Sequence, residues 1–333
     1  MSATTQDQET QAREAERPSW NRFFERFGSS GPLVGLLVLV VVLSFLSPAF
    51  LTVNNMVNVF QQISVLAILA LGMTAVIITA GIDLSVGSIV GLSGVVAGWT
   101  FVEAGLPMPV AFLAGLAVGA LAGFISGLMI TVGKLPPFIA TLAMLSMARG
   151  LALVISDGQP ISGYPDWFRN ITRYQLFGVL PLSVLLVVVL FLLGAAYLRY
   201  RPSGRALYAI GGNEEVARLS GLKVQREKLK VYTAAGALAG LGGLILLSRL
   251  DSAQPTAGAG LELDVIAAVV IGGASLAGGR GSVSGTLVGA LIIGFLRNGL
   301  NLLDVSAFWQ QVIIGAVIAI AVMTDTLRRR SKH

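Results

Sequence analysis

The chain has 333 residues, of which 55% are hydrophobic and only 12% charged, with a formal net charge of +6 and a mean hydropathy of +0.80. Composition of this kind excludes an ordinary soluble globular domain and places the chain in the membrane class. It contains no cysteine, and its single histidine, His333, is the last residue, so disulfides, thiolate metal sites and intramembrane imidazole chemistry are excluded.

The first 31 residues are polar and of mixed charge, and the apolar run that follows is too long for a signal-peptide core, so 1–31 reads as a short cytoplasmic tail. A membrane helix needs about 20 predominantly apolar residues. By that measure spans are predicted at 33–50, 63–80, 86–102, 110–132, 138–155, 180–198, 231–248, 264–276, 283–300 and 308–323. The eighth, Asp264 to Leu276, is too short to cross comfortably and reads as a broken or re-entrant helix, which membranes tolerate only where protein buries it or water lines it. The result is an all-α membrane protein with a transmembrane body over 32–326, one long hydrophilic loop over 199–230 and a second short cytoplasmic tail over 327–333.

Positive charge orients the spans, because Lys and Arg near span ends stay on the cytoplasmic side. With the N-terminus inside, the cytoplasmic segments hold Arg13, Arg17, Arg22, Arg26, Lys134, Arg280 and the cluster Arg328, Arg329, Arg330 and Lys332. The long loop, Arg199 to Lys230, adds eight Lys/Arg against three Glu, while outside loops keep only Arg169 and Arg173. Both termini are therefore expected in the cytoplasm. The basic balance reports topology and attraction to the lipid bilayer; no basic patch interleaved with aromatics points to nucleic acid.

Forty glycines are nearly twice the usual share, and Gly115, Gly119, Gly123 and Gly127 form an i, i+4 stripe repeated by Gly236 with Gly240 and Gly285 with Gly289. In lipid, small residues on one face let helix backbones approach and gain dispersion contact, so the stripes predict a tight bundle. Two segments, Ile78 to Ser88 and Ile271 to Ser282, share a loose Gly-rich pattern between apolar helices. In the predicted topology the second to fifth spans start outside and the seventh to tenth start inside, so the two halves would run in opposite senses, the arrangement of an inverted repeat, which is a transporter habit.

The chain has no Gly-x-x-x-x-Gly-Lys-Ser/Thr motif and no carboxylate or histidine cluster spaced for catalysis or metal ligation, which disfavours an intramembrane enzyme. Asp83, Asp264, Arg149, Arg249 and Arg297 sit near predicted span ends, where capping or interfacial anchoring competes with contact to a permeating solute. Within the long loop, Gly211 to Gly221 reads as a short helix. Asn213 can cap it, Glu214 and Glu215 suit its positive first turn, Glu214 and Arg218 form an i, i+4 pair, and Gly221 can end it. Val216 and Leu219 then present a small apolar face, which fits either a solvated loop lying on the membrane or a docking site for another chain.

The residues Gly72-Met73-Thr74, Thr79 to Ser88, Gly211 to Gly221, Ser252 to Gly258, Glu262 to Gly279 and Gly294 to Leu303 together resemble the permease subunit of a ribose-type, carbohydrate-uptake ATP-binding cassette importer, over about Leu33 to Met323. The resemblance implies a type II importer permease fold of about ten helices in the cell inner membrane, a homodimer, cytoplasmic ATP-binding cassette subunits and a periplasmic sugar-binding protein. It also implies that ATP and Mg are bound by the partner ATPase, with no cofactor and no metal in this chain. Gly212, Asn213, Glu214, Glu215, Ala217, Arg218, Leu219, Ser220 and Gly221 would form the helix that couples to the ATPase. Polar residues expected to face the sugar pathway are Asn58, Gln61, Gln62, Thr74, Asp83, Ser85, Ser88, Asn298 and Asn301, each of which also fits a helix-capping or helix-bridging role. Arg297 stands where the ribose pattern leads one to expect a second Asn beside Asn298. Ribose is the leading solute, with xylose, arabinose, galactose and small polyols as alternatives on the same framework. An ion-coupled secondary carrier is disfavoured by the lack of membrane-centred acids, and a structural or receptor-like protein would tolerate deletion of the loop.

Overall fold

In the computed structural model, which describes residues 31–176 and 178–330, the chain is a helical bundle. The predicted tail over residues 1–30 and the last three residues lie outside the described part. Each of the ten predicted spans is a helix: α1 (Gly31–Leu46), α2 (Val53–Ile78), α3 (Val86–Val102), α4 (Met108–Thr131), α5 (Pro137–Ile155), α7 (Leu182–Tyr200), α10 (Val224–Leu250), α11 (Leu261–Ile271), α12 (Val283–Leu302) and α13 (Ala307–Arg330). Between them lie α6 (Asp166–Arg173), α8 (Pro202–Gly212) and α9 (Glu214–Leu219). Six of these, α2, α4, α5, α7, α10 and α12, are long and apolar enough to cross a membrane, and α1, α3 and the Ala307–Met323 part of α13 are shorter apolar helices.

The differences from expectation have local causes. The first helix stops at Leu46, not at residue 50, because Ser47 precedes Pro48 and a residue before proline is pushed out of the helical region. The second begins ten residues earlier than expected, at Val53: its polar first turns are held by Asn55, which donates to the Phe50 carbonyl at 2.7 Å. The 199–230 segment is two helices and the start of α10, with little irregular chain. The all-α body also carries two antiparallel ladders of two residues per strand, Ile161–Ser162 against Ser252–Ala253 and Gln175–Leu176 against Leu180–Pro181.

α2 is the central helix, packed by α10, α12, α11 and α7 and largely buried, whereas α4, α5 and α7 show apolar side chains outward. That inversion of the soluble pattern is what a bilayer permits. The tightest helix pair is α4 with α10, and its seam is the predicted glycine stripe. Gly119 lies so close to Gly236 and Gly240 that a Cβ built on it would meet the Gly236 carbonyl oxygen and the Gly240 Cα at 2.7 Å each. α2 and α10, the first helices of the two predicted halves, start at opposite ends of the bundle: α2 begins beside the end of α12, where Asn55 and Asn298 exchange hydrogen bonds, while α10 begins beside α9.

α11 has only 11 residues, about 16 Å of helix, roughly half the hydrocarbon thickness. It begins at Leu261 and ends at Ile271, before Gly272 and Gly273, where φ of +93° at Gly273 leaves the helix; the expected run to 276 is therefore too long. The crossing is completed by the non-helical residues 251–260, which lie along the glycine face of α3. Ala253 sits against Gly98, the Pro255 and Ala257 carbonyls against Gly91, and Gly258 against Gly87. Unpaired carbonyls at this depth are costly. Arg149 of α5 answers by donating Nη1 to Pro255 O at 2.9 Å and Ala257 O at 3.3 Å.

Replacing Gly119 by Ala forces backbones apart, and the expected cost is about 1–3 kcal/mol. It is measured as a lowered thermal midpoint in detergent, while Gly35→Ala in α1, which has nothing within 4 Å, leaves the midpoint unchanged or raised.

Candidate functional site

Two regions of the bundle bring the singled-out residues together, one at each end. At the first, α8 and α9 project from the bundle between α7 and α10. Asn213 caps α9 through its side-chain oxygen, which accepts from Val216 N at 3.0 Å, and Gly221 leaves the helix with φ of +83°. The expected Glu214 to Arg218 pair is not formed. Arg218 instead bonds both oxygens of Glu215 at 2.6 and 2.7 Å, and Glu214 accepts from Lys228 of α10 at 2.5 Å, which ties the short helix to a long one. The hydrogen bond to Glu215 holds the guanidinium's pKa above its already high ordinary value, so Arg218 stays charged.

Ala217 is the buried foot of α9, packed with Ile210 and Val224. Around it Glu215, Val216, Arg218 and Leu219 are exposed, Leu219 at 78%. An apolar pair rimmed by an ion pair on a rigid, capped turn is the pattern of a docking surface. Gly212 and Ser220 are also exposed, and Ser220 donates to the Val216 carbonyl at 2.9 Å.

Behind α9 the two Gly-rich segments with the shared pattern meet. Gly279 N donates to Ile78 O at 2.9 Å, and a Cβ on Gly278 would stand 2.7 Å from that of Ala80. Gly211, at the end of α8, fits against the same carbonyl: a Cβ there would overlap the Ile78 oxygen. Tyr208 of α8 adds a hydrogen bond from its hydroxyl to Gly281 O at 3.0 Å. The base of the projecting hairpin is thus joined, backbone to backbone, to the end of the central helix and to the turn that follows α11. In the sequence Gly211 stands out only by its place beside the loop helix, and local spacing does not mark it as such a junction.

Among the residues expected to face the pathway, the structure separates a set fastened inside the bundle from a set gathered at one end of it. Thr74 is fully buried and donates to Ala70 O at 2.7 Å, so the Thr286 hydroxyl donates to it across α2 and α12 at 2.6 Å. Asp83 accepts from the N–H and hydroxyl of Ser85 at 2.8 and 2.6 Å, and Ser88 donates to Ser85 O at 2.8 Å; together they fasten the turn that starts α3.

The other five gather at the end of the bundle opposite α9. Asn58 and Gln62 are exposed on α2, one turn apart, while Gln61 donates to Thr172 O at 2.8 Å. Asn298 is paired with Asn55, and exposed Asn301 accepts from Gln310 of α13 at 2.7 Å. Asn55 and Gln310 therefore belong to this amide cluster and were not singled out from the sequence. Asn55 lies one turn before Asn58, a signal present in the sequence, whereas Gln310 lies nine residues beyond Asn301 on the next helix, where spacing does not mark it. Among the described residues no group of His, Cys, Asp or Glu is spaced to hold a metal ion.

Arg297, the departure from the ribose pattern, has a partner: it pairs at 2.6 Å with Asp264, whose side chain is 2% exposed on α11. The pair bridges the half-helix to α12, so both residues are part of the packed body and not interfacial anchors.

The family described as branched-chain amino acid transport system, permease component, matches residues 55–322. The ribose import permease protein of Escherichia coli K12 is 47% identical over 302 residues, covering 89% of this chain and 93% of that protein. The ribose import permease protein of Bacillus subtilis 168 is 50% identical over 298 residues, covering 89% and 92%. The xylose transport system permease protein of Haemophilus influenzae is 36% identical over 359 residues, covering 89% and 96%. No solved structure matches the chain.

Removing one partner of the Asp264 and Arg297 pair strands a charge inside the bundle. Arg297→Asn alone is expected to lower the thermal midpoint, and Arg297→Asn combined with Asp264→Asn to regain most of the loss, a coupling that a double-mutant cycle reads directly.

Proposed function

Since the chain belongs to the family of branched-chain amino acid transport system permease components, a multi-pass membrane protein of the transport class, we propose that it is the membrane-spanning subunit of an ATP-driven ribose importer. The observation that carries the solute is the 47% to 50% identity to ribose import permeases over nine-tenths of the chain, against 36% for a xylose permease. Xylose and other small sugars on the same framework are the second reading.

The division of labour follows from what the chain contains. It has no phosphate-binding loop, so nucleotide hydrolysis belongs to a separate ATP-binding cassette subunit carrying ATP and Mg, and α9 is the element suited to meet it. Closure of the ATPase would push on Glu215, Val216, Arg218 and Leu219. Because Gly211 is seated on the Ile78 carbonyl, that push passes into α2 and into the turn beside α12 without a flexible link. The helices then rock as bodies between outward-open and inward-open arrangements. The chain would work as a homodimer in the inner membrane, with both termini and α9 cytoplasmic, and a periplasmic sugar-binding protein would deliver ribose to the opposite end.

There the amides of Asn58, Gln62 and Asn301 stand at the mouth. A neutral sugar offers hydroxyls that both donate and accept, and a carboxamide matches both roles without a counter-ion. Thr74, Asp83, Ser85 and Ser88 would act in this scheme through the helix and turn geometry they hold.

The test is reconstitution in vesicles with the ATPase and the binding protein: ribose accumulation that requires ATP is the expected result, and nucleotide-independent accumulation by the isolated chain would overturn the proposal. In the same assay Arg218→Ala with Leu219→Ala is expected to lower uptake and stimulated ATPase activity about tenfold or more, a loss of about 1.4 kcal/mol at the contact. Both substitutions lie at exposed positions, so the thermal midpoint of the permease should not move.

A further inference from the structure

α7 and α10 both pack on α2, yet between them they leave two apolar grooves in succession along α7. The first, of about 370 Å³, lies under α6 between Leu182 and Val189 of α7 and Ile245 of α10. The second, of about 500 Å³, runs toward the α9 end, between Leu190, Gly194 and Tyr197 of α7 and Lys230 and Ala234 of α10, with Leu71 of α2 among its walls. Neither contains a polar constellation that would hold a sugar. An open apolar groove on the side of a membrane helix forfeits dispersion contacts along its whole lining unless something apolar fills it.

Charge identifies what fills the second groove. Lys230 is its charged wall residue, with a side chain 46% exposed, and exposed Arg199, Arg201 and Arg205 occupy the chain where α7 passes into α8. The carboxylate bonded to Lys230 is Glu227, which accepts from it at 2.8 Å and also from Ser203, with the cation of Arg226 acting on it as well. The mouth therefore keeps an excess of positive charge at the depth of the lipid headgroups, beside a slot of acyl-chain width.

We propose that the groove between α7 and α10 at the α9 end is a binding site for an anionic phospholipid, with an acyl chain along Leu190, Gly194 and Ala234 and the phosphate at Lys230. A second copy of the chain fits the groove poorly, because a two-fold axis along the membrane normal brings groups of equal depth together and would set these cations against their own kind. The site has a mechanical consequence. α7 continues through Arg201 into α8 and α9, so a lipid wedged between α7 and α10 sets the spacing of the two helices from which the projecting hairpin hangs. This does not depend on which solute crosses.

The experiment uses the full chain, purified from membranes and also placed in bilayer discs of phosphatidylcholine with increasing phosphatidylglycerol. Native mass spectrometry should find phosphatidylglycerol retained over phosphatidylcholine, and the thermal midpoint should rise with the anionic fraction. Lys230→Glu should abolish that preference and the rise, whereas Lys134→Glu, the same change at an exposed cytoplasmic-side turn away from the groove, should keep both. Ala234→Trp, which fills the groove from an exposed position, should reduce retention of either lipid. Equal retention of phosphatidylglycerol by wild type and Lys230→Glu, an equal loss in Lys134→Glu, or efficient cross-linking between two copies through Ala234→Cys would each overturn the assignment.

Discussion

Close approach of backbones is the constraint on which this bundle depends. In lipid no hydrophobic force drives helices together, so packing must come from dispersion, which falls steeply with distance. At the seam of α4 and α10 the glycines bring main chains within contact, and the consequence is a rigid pair running the thickness of the bundle. The same device recurs where it matters mechanically. At Gly211 the end of α8 rests directly on the last carbonyl of α2, with Gly279 bonded to that same oxygen, and no side chain intervenes to flex. In the proposed scheme a force on α9 would therefore pass from main chain to main chain.

A second constraint shapes the interior. Non-helical backbone leading into a half-helix at membrane depth is permitted only where protein buries it and gives its polar groups partners. The 251–260 segment meets this by lying against the glycine face of α3, by pairing Ser252 and Ala253 with Ser162 and Ile161, and by accepting two hydrogen bonds from Arg149. The Asp264 to Arg297 pair then fixes the half-helix to α12. Charges that a span count treats as ornaments at helix ends are thus the fasteners of this irregular crossing. The position where Arg297 departs from the expected Asn becomes intelligible in the same way: an Asn is too short and too weakly polar to neutralise a carboxylate 2% exposed.

Much of this was legible in the order of residues. Hydropathy located all ten helices, the shortness of 264–276 foretold a broken crossing, and the Asn213 cap, the Gly221 stop and the exposed Val216 and Leu219 were all readable from local rules. Such rules work because helix ends and apolar length are set by near neighbours. What escaped was tertiary choice. Glu214 has Arg218 within one turn and takes Lys228 from α10 instead, and the ten residues before Ile63 are too polar for an apolar span yet join the helix, with Asn55 bonded to Phe50 and Asn298. Nor does sequence spacing tell which hydroxyl faces a neighbour, so Thr74 and Asn58 carried equal weight until burial separated them.

The two ends of the molecule divide the work of transport by chemistry. The α9 end is built of ion pairs and a small apolar knob on a stiff base, features that favour a protein partner and tolerate water. The opposite end concentrates carboxamides and leaves Asn58, Gln62 and Asn301 exposed. A site for a neutral polyol gains nothing from a fixed charge, because a buried ion must be neutralised whether or not the solute is present. Carboxamides can satisfy one another, as Asn55 with Asn298 and Asn301 with Gln310 do, and in the proposed scheme they would exchange those partners for sugar hydroxyls at small net cost. Weak, exchangeable binding is what a conduit requires, and in the proposed scheme affinity for the solute would reside in the delivering protein while the energy to release it would arrive through the main-chain junction at Gly211.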